Sequence, residues 1–89
     1  MKHSYLEVTY RKGRAIAAYF YLPRREEGKS VRTERVGGGL LVDFAADGRP
    51  IGIEISSPSR FDMTSLNDVL GRLGQAPVRP EDLSPLVAA

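Results

Sequence analysis

No cysteine occurs among the 89 residues, which excludes a disulfide scaffold, a thiolate zinc site and a cysteine nucleophile. Burial and hydrogen bonding must hold the fold, and the simplest setting is the cytoplasm of a bacterial-type cell. Histidine is scarce. His3 is the single one, and beside a terminus, where order is poor, it is a weak candidate for catalysis, metal binding or a Ser-His-Asp set. Long apolar runs are missing too: the longest, Ala15 to Leu22, has eight residues against the roughly 20 that cross a bilayer, so no membrane association is expected. Met1 to Glu7 holds no hydrophobic stretch followed by a small-residue cleavage site, and secretion is not indicated. No catalytic, cofactor or metal signature rises above background, so a non-enzymatic protein without a cofactor is expected.

What is present is the ordinary mixture for one soluble globular domain, with 42% of residues hydrophobic and 27% charged. The net charge of +2 conceals an asymmetry: residues 1 to 35 carry nine Lys or Arg against four Glu, and residues 36 to 89 carry four Arg against seven Asp or Glu. Such a separation either steers an anionic partner to the front half or lets two halves of one fold attract each other.

Short alternating runs divided by turn residues give the strand-and-hairpin signature. Tyr5 to Tyr10 reads as the first strand and Ala15 to Leu22 as the second, with the basic turn of Arg11, Lys12, Gly13 and Arg14 between them. Pro23 removes a ladder donor, and Pro23 to Lys29 reads as a charged loop. Ser30 to Val36, Leu40 to Ala45 and Pro50 to Ser56 are the third, fourth and fifth strands. Gly37 to Gly39 invite a phosphate-loop reading, but such a loop needs a helix after it, and here a strand follows. Asp47-Gly48 is a strong hairpin signal. A two-residue turn there places Phe44 opposite Ile51, Val42 opposite Ile53 and Leu40 opposite Ile55, all on one face. The other face then carries Leu41, Asp43, Gly52, Glu54 and Ser56, and a turn at Gly37-Gly38 sets Arg32 opposite Asp43.

After Pro58, Met63, Leu66, Val69, Leu70 and Leu73 recur at helical spacing and predict an amphipathic helix over 63–73. Asp62, Thr64 or Ser65 can cap it, Ser65 with Asp68 has capping-box spacing, and Gly74 suits the left-handed C-terminal position. A proline-containing tail over 77–89 follows, in which Pro80 to Leu83 can form one helical turn and Ala88 and Ala89 fray. The expected architecture is α+β: a five-stranded antiparallel β-meander over 5–57 with one C-terminal amphipathic helix packed on one face.

Three constellations can carry function. Asp43 and Glu54, as diagonal neighbours on one face, can bind a divalent cation or share a proton; the alternative is that Arg32 neutralises Asp43 in a solvated network. Arg11, Lys12, Arg14, Arg24 and Arg25 with Tyr19 and Tyr21 compose a nucleic-acid footprint, weakened by Glu26 and Glu27, so nucleic acid is the least favoured partner. The second strand carries most weight. It shows Ile16, Ala18, Phe20 and Leu22 on one face and Ala15, Ala17, Tyr19 and Tyr21 on the other, and a strand apolar on both faces needs a cover on each. One short helix covers one side, so a second copy of the chain is expected on the other, with Tyr19, Tyr21 and Leu41 as interface candidates.

The strand series resembles the DUF2283 family of small bacterial proteins of unknown function. Val8 to Tyr10, Ala17 with Tyr19 to Tyr21, Thr33 to Val36 and above all Gly39 to Ile55 carry the resemblance, over about residues 5 to 60. Leu66 to Leu70, Leu73-Gly74, Pro77 and Asp82 to Leu86 look like a tail that accompanies some members. Members often have an acidic turn between the first two strands, where this chain has Arg11 to Arg14, so any ligand role of that turn does not carry over. The resemblance implies a small antiparallel sheet with a helix, no established activity, and a partner-binding role that includes an antitoxin-like one.

Overall fold

The alternating runs become a five-stranded antiparallel sheet in the computed structural model of the protein, which describes residues 3–23 and 29–84. Its strands are β1 (Tyr5–Arg11), β2 (Arg14–Tyr21), β3 (Arg32–Gly37), β4 (Leu40–Phe44) and β5 (Pro50–Ile55). They do not follow one another as the expected meander. The order is β1-β2-β5-β4-β3, so β5 lies between β2 and β4 and β3 forms the far edge. Composition explains the exchange. Arg32 to Arg35 of β3 are all exposed, which suits an edge strand, whereas Ile51, Ile53 and Ile55 of β5 are buried and need neighbours on both sides. Residues 24–28, and with them Arg24, Arg25, Glu26 and Glu27, lie outside the described residues, as do Pro85, Leu86, Ala88 and Ala89.

The β4–β5 register holds where two pairs were expected, Leu40 with Ile55 and Val42 with Ile53. Phe44, however, faces Pro50 instead of Ile51, with an irregularity after Asp43. The turn is longer than two residues. Gly48 N–H donates to Ala45 O and Ala45 N–H to Arg49 O, each at 2.9 Å, while Gly48 takes φ 87°; this is a three-residue loop closed by a glycine bulge. Asp47 braces it by accepting the Arg49 backbone N–H at 3.0 Å and Arg49 Nε at 2.7 Å. The first of these bonds, then the second, holds the Asp47 carboxyl below its ordinary range.

The other hairpin corrects a second expectation. Gly38 and Gly39, at φ 62° and 73°, form the turn, Gly37 pairs with Leu40, and the register slips between Arg35 and Gly37. Both turn angles lie in the left-handed region, which glycine enters at no steric cost. Thr33, not Arg32, therefore faces Asp43. Arg32 lands on the opposite face, with Cζ 4.3 Å from the centre of the Phe44 ring and Nη1 2.6 Å from Glu34 Oε2.

Helix α1 (Met63–Arg72) starts at Asp62, whose carboxylate accepts Thr64 N–H at 3.1 Å and Ser65 Oγ–H at 3.0 Å. It ends with Gln75 N–H on Leu70 O and Gly74 N–H on Gly71 O, the paired bonds that close a helix through Gly74. It is not the C-terminal element. The chain continues into a 3₁₀ turn, Pro80–Leu83, whose Leu83 is fully buried. Leu66, Val69 and Leu70 of α1 join Ala18, Phe20, Leu22, Leu40, Val42, Ile53 and Ile55 of the sheet side, and Val78 and Leu83 of the tail, in one core. Asn67 ties the tail down, accepting Val78 N–H at 2.8 Å and donating to Val78 O at 3.3 Å. No described helix is long and apolar enough to cross a membrane.

Candidate interaction surface

With the core on one side of the sheet, the registers line up the side chains of the other. One cross-sheet row runs Tyr5, Tyr21, Gly52, Asp43, Thr33; the next runs Glu7, Tyr19, Glu54, Leu41, Arg35. Three tyrosines therefore gather at the β1–β2 side. The Tyr5 and Tyr21 rings stack at 4.3 Å between centres and 15° between planes, and Tyr19 lies tilted against Tyr21 at 4.7 Å. Such offset packing of aromatic rings is favourable beyond the area it buries.

Hydroxyl contacts pin these rings. Tyr19 Oη–H donates to Asp43 Oδ2 at 2.6 Å, and Thr33 Oγ1–H donates to Asp43 Oδ1 at 2.5 Å, so both oxygens of Asp43 are engaged. Tyr21 Oη–H donates to Glu7 Oε1 at 3.2 Å. Loss of water around Tyr21 and, next, the charge of Glu7 raise its phenol above the ordinary tyrosine value. Between Tyr19 and Asp43 lies Gly52, and here the absence of a side chain decides the packing: a Cβ at Gly52 would collide with the Tyr19 ring. Gly52→Ala is accordingly expected to lift Tyr19 off the sheet, break its bond to Asp43, and cost about 1 to 3 kcal/mol as an overpacked site. Urea unfolding compared with wild type checks this, and an unchanged midpoint would contradict the packing described.

Each candidate residue can now be placed. Asp43 and Glu54 share this face on neighbouring strands as expected, Leu41 stands opposite Glu54, and Arg32 is excluded from it by the register. Asp43 serves as an acceptor for two hydroxyls, and no group of three or more potential metal ligands occurs among the described residues. A cation at Asp43 would have to compete with both of those bonds. Tyr19 and Tyr21, the interface candidates, are half-buried by their own neighbours. For a nucleic-acid reading, Arg11, Lys12 and Arg14 are exposed on the β1–β2 turn, but both tyrosine hydroxyls point to carboxylates, which repel phosphate.

The large apolar side chains that remain exposed were not among the expected interface residues: Tyr5 at 47%, Tyr10 at 49% and Ile16 at 48%, all on the β1–β2 hairpin, and Val31 at 65%. Ile16 sits where the β1–β2 register shifts, between the Thr9–Ala17 and Tyr10–Ala15 pairs, so it leaves the face that its place in the alternation implied. Plain pairing of the hairpins finds neither Tyr5 and Glu7 nor Thr33 on this face, because bulges between Thr9 and Tyr10 and between Arg35 and Gly37 shift both registers.

Neither the curated proteins nor the solved structures provide a match to the chain. Residues 17–57 do match the model of DUF2283, a protein of unknown function. β1, α1 and the tail fall outside that match, which is narrower than the span over which the resemblance was read. The segment that builds this surface from Ala17 of β2 to the end of β5 is thus the part of the chain that is similar to DUF2283.

Proposed function

We propose that the protein is a non-enzymatic protein-interaction module that works as a homodimer, with its association surface on the β1–β2 side of the outer sheet face. The observation that carries this reading is the concentration of aromatic surface there: Tyr5 and Tyr19 both packed on Tyr21, with Tyr5 about half exposed. Aromatic side chains held by hydrogen bonds lose little conformational freedom on association and supply large contact area, which is why they anchor interfaces. The acidic pair supports a catalytic or metal-binding alternative less well, because Asp43 is already satisfied by Tyr19 and Thr33.

Static light scattering over a concentration series tests the reading. Wild type is expected to move toward twice the 9.8 kDa chain mass as concentration rises. Tyr21→Asp, which sets a charge beside Glu7 within the aromatic cluster, is expected to stay monomeric and folded. A wild-type chain that remains monomeric at high micromolar concentration would contradict the proposal.

A further inference from the structure

The two edges of the sheet differ. β3 presents Arg32, Glu34 and Arg35 within six residues and carries an extra residue, Val36, where its register slips after Arg35, whereas the slip between Thr9 and Tyr10 puts its extra residue, Ile16, on β2 and not on β1. Charges and irregularities within an edge strand keep it from pairing with another chain. β1 carries one charge, Glu7, before its final Arg11, and no strand pairs with its outer side among the described residues. Its exposed Tyr5 and Tyr10 lie along that margin. An edge strand of seven residues left in this condition is a template for a further strand.

The sequence of β1 also complements itself. Directly paired residues in an antiparallel ladder share a face, so a second β1 can pair only in registers that match outer with outer residues. With Thr9 on the axis, Glu7 of each copy meets Arg11 of the other, Thr9 meets Thr9, and Val8 meets Tyr10: an opposite-charge pair, a hydroxyl pair and an aromatic–β-branched pair, each of a favourable class. Centring on Val8 sets Glu7 against Thr9 and Arg11 against Tyr5, and centring on Tyr10 sets Arg11 against Thr9; neither joins opposite charges. The Glu7 carboxylate accepts Tyr21 Oη–H at Oε1, which leaves Oε2 for a guanidinium, and Arg11 is exposed. Resting on the homodimer reading above, we propose that two copies join edge to edge along β1, antiparallel about Thr9, to form one continuous ten-stranded sheet from two five-stranded ones. Both helices then lie on one side of that sheet, and both aromatic faces meet on the other.

Charge exchange across the seam tests this in the full chain by sedimentation equilibrium. Glu7→Arg and Arg11→Glu each turn two attractions into two repulsions, because the two-fold repeats the pair, and each is expected to weaken dimerisation about tenfold or more. The double variant, E7R with R11E, is expected to restore it to within about threefold. Thr9→Lys, an exposed position where the axis would set two ammonium groups face to face, is expected to weaken dimerisation as strongly; circular dichroism confirms that each variant is folded. A wild-type dimer unaffected by the single changes and by Thr9→Lys would overturn the β1 seam and leave the homodimer reading standing. Single variants that weaken it without rescue by the double would overturn the Thr9 register. A wild-type chain that never dimerises would overturn both.

Discussion

Leu70→Ala and Ile53→Ala are each expected to lower the free energy of unfolding by about 2 to 5 kcal/mol, the cost of emptying a packed site that collapses only in part. Both side chains are fully buried, one in the last turn of α1 and the other on β5 between its cross-strand partners Phe20 and Val42. Ile53 thus occupies the middle of the middle strand, and neither side offers room to close the gap. A domain of this size has a total stability of about 5 to 10 kcal/mol, so either change removes a large fraction of it. Urea denaturation followed by far-ultraviolet circular dichroism measures the loss as a lower midpoint at unchanged slope. Midpoints within error of wild type would mean that α1 does not pack on this side of the sheet.

Ending the chain after Ala76 is expected to be about as damaging, although it removes no strand and no part of α1. Val78 and Leu83 are both buried in the common core, and losing two such side chains withdraws about 3 to 6 kcal/mol of apolar burial. Asn67 would lose both of its bonds to Val78 as well, leaving its amide to water alone. The shortened chain is expected to melt without a sharp transition or well below wild type in a calorimetric scan. A cooperative transition within a few degrees of the full chain would show that the tail is dispensable. The segment that matches DUF2283, residues 17–57, supplies four strands of the sheet but not the cover for its apolar side, which here comes from α1 and the tail.

Secondary structure was legible because period and punctuation agree locally. Strands alternate with period two, Gly38-Gly39 and Gly48 mark the hairpins, and Asp62 with Gly74 brackets the helix. Strand order was harder to read, since neighbours in sequence are the simplest neighbours in space; yet the clue was present in the four exposed residues from Arg32 to Arg35, a composition that belongs at an edge. Register failed in two places for one reason. An extra residue at a bulge, Ile51 of β5 in one hairpin and Val36 of β3 in the other, resets which side chains meet, and nothing in a period-two pattern announces it. In the second hairpin the bulge acts together with the turn, which sits at Gly38-Gly39 and not at Gly37-Gly38, to set Thr33 in the place expected of Arg32 opposite Asp43. The Tyr19–Asp43 contact depends on a ring crossing a neighbouring strand over Gly52, a three-strand arrangement that no pairwise reading contains.

Amide hydrogen exchange measured at several protein concentrations addresses self-association along β1 most directly, because it reports both whether the chain associates and where. The main-chain amides of β1 that point away from β2 have no ladder partner within the described chain, so pairing with a second copy must slow them. The expected result is protection in Tyr5–Arg11 that grows with concentration, while amides of the opposite edge strand, Arg32–Gly37, exchange at constant rates. Exchange from β1 that is the same at low and high micromolar concentration would contradict it.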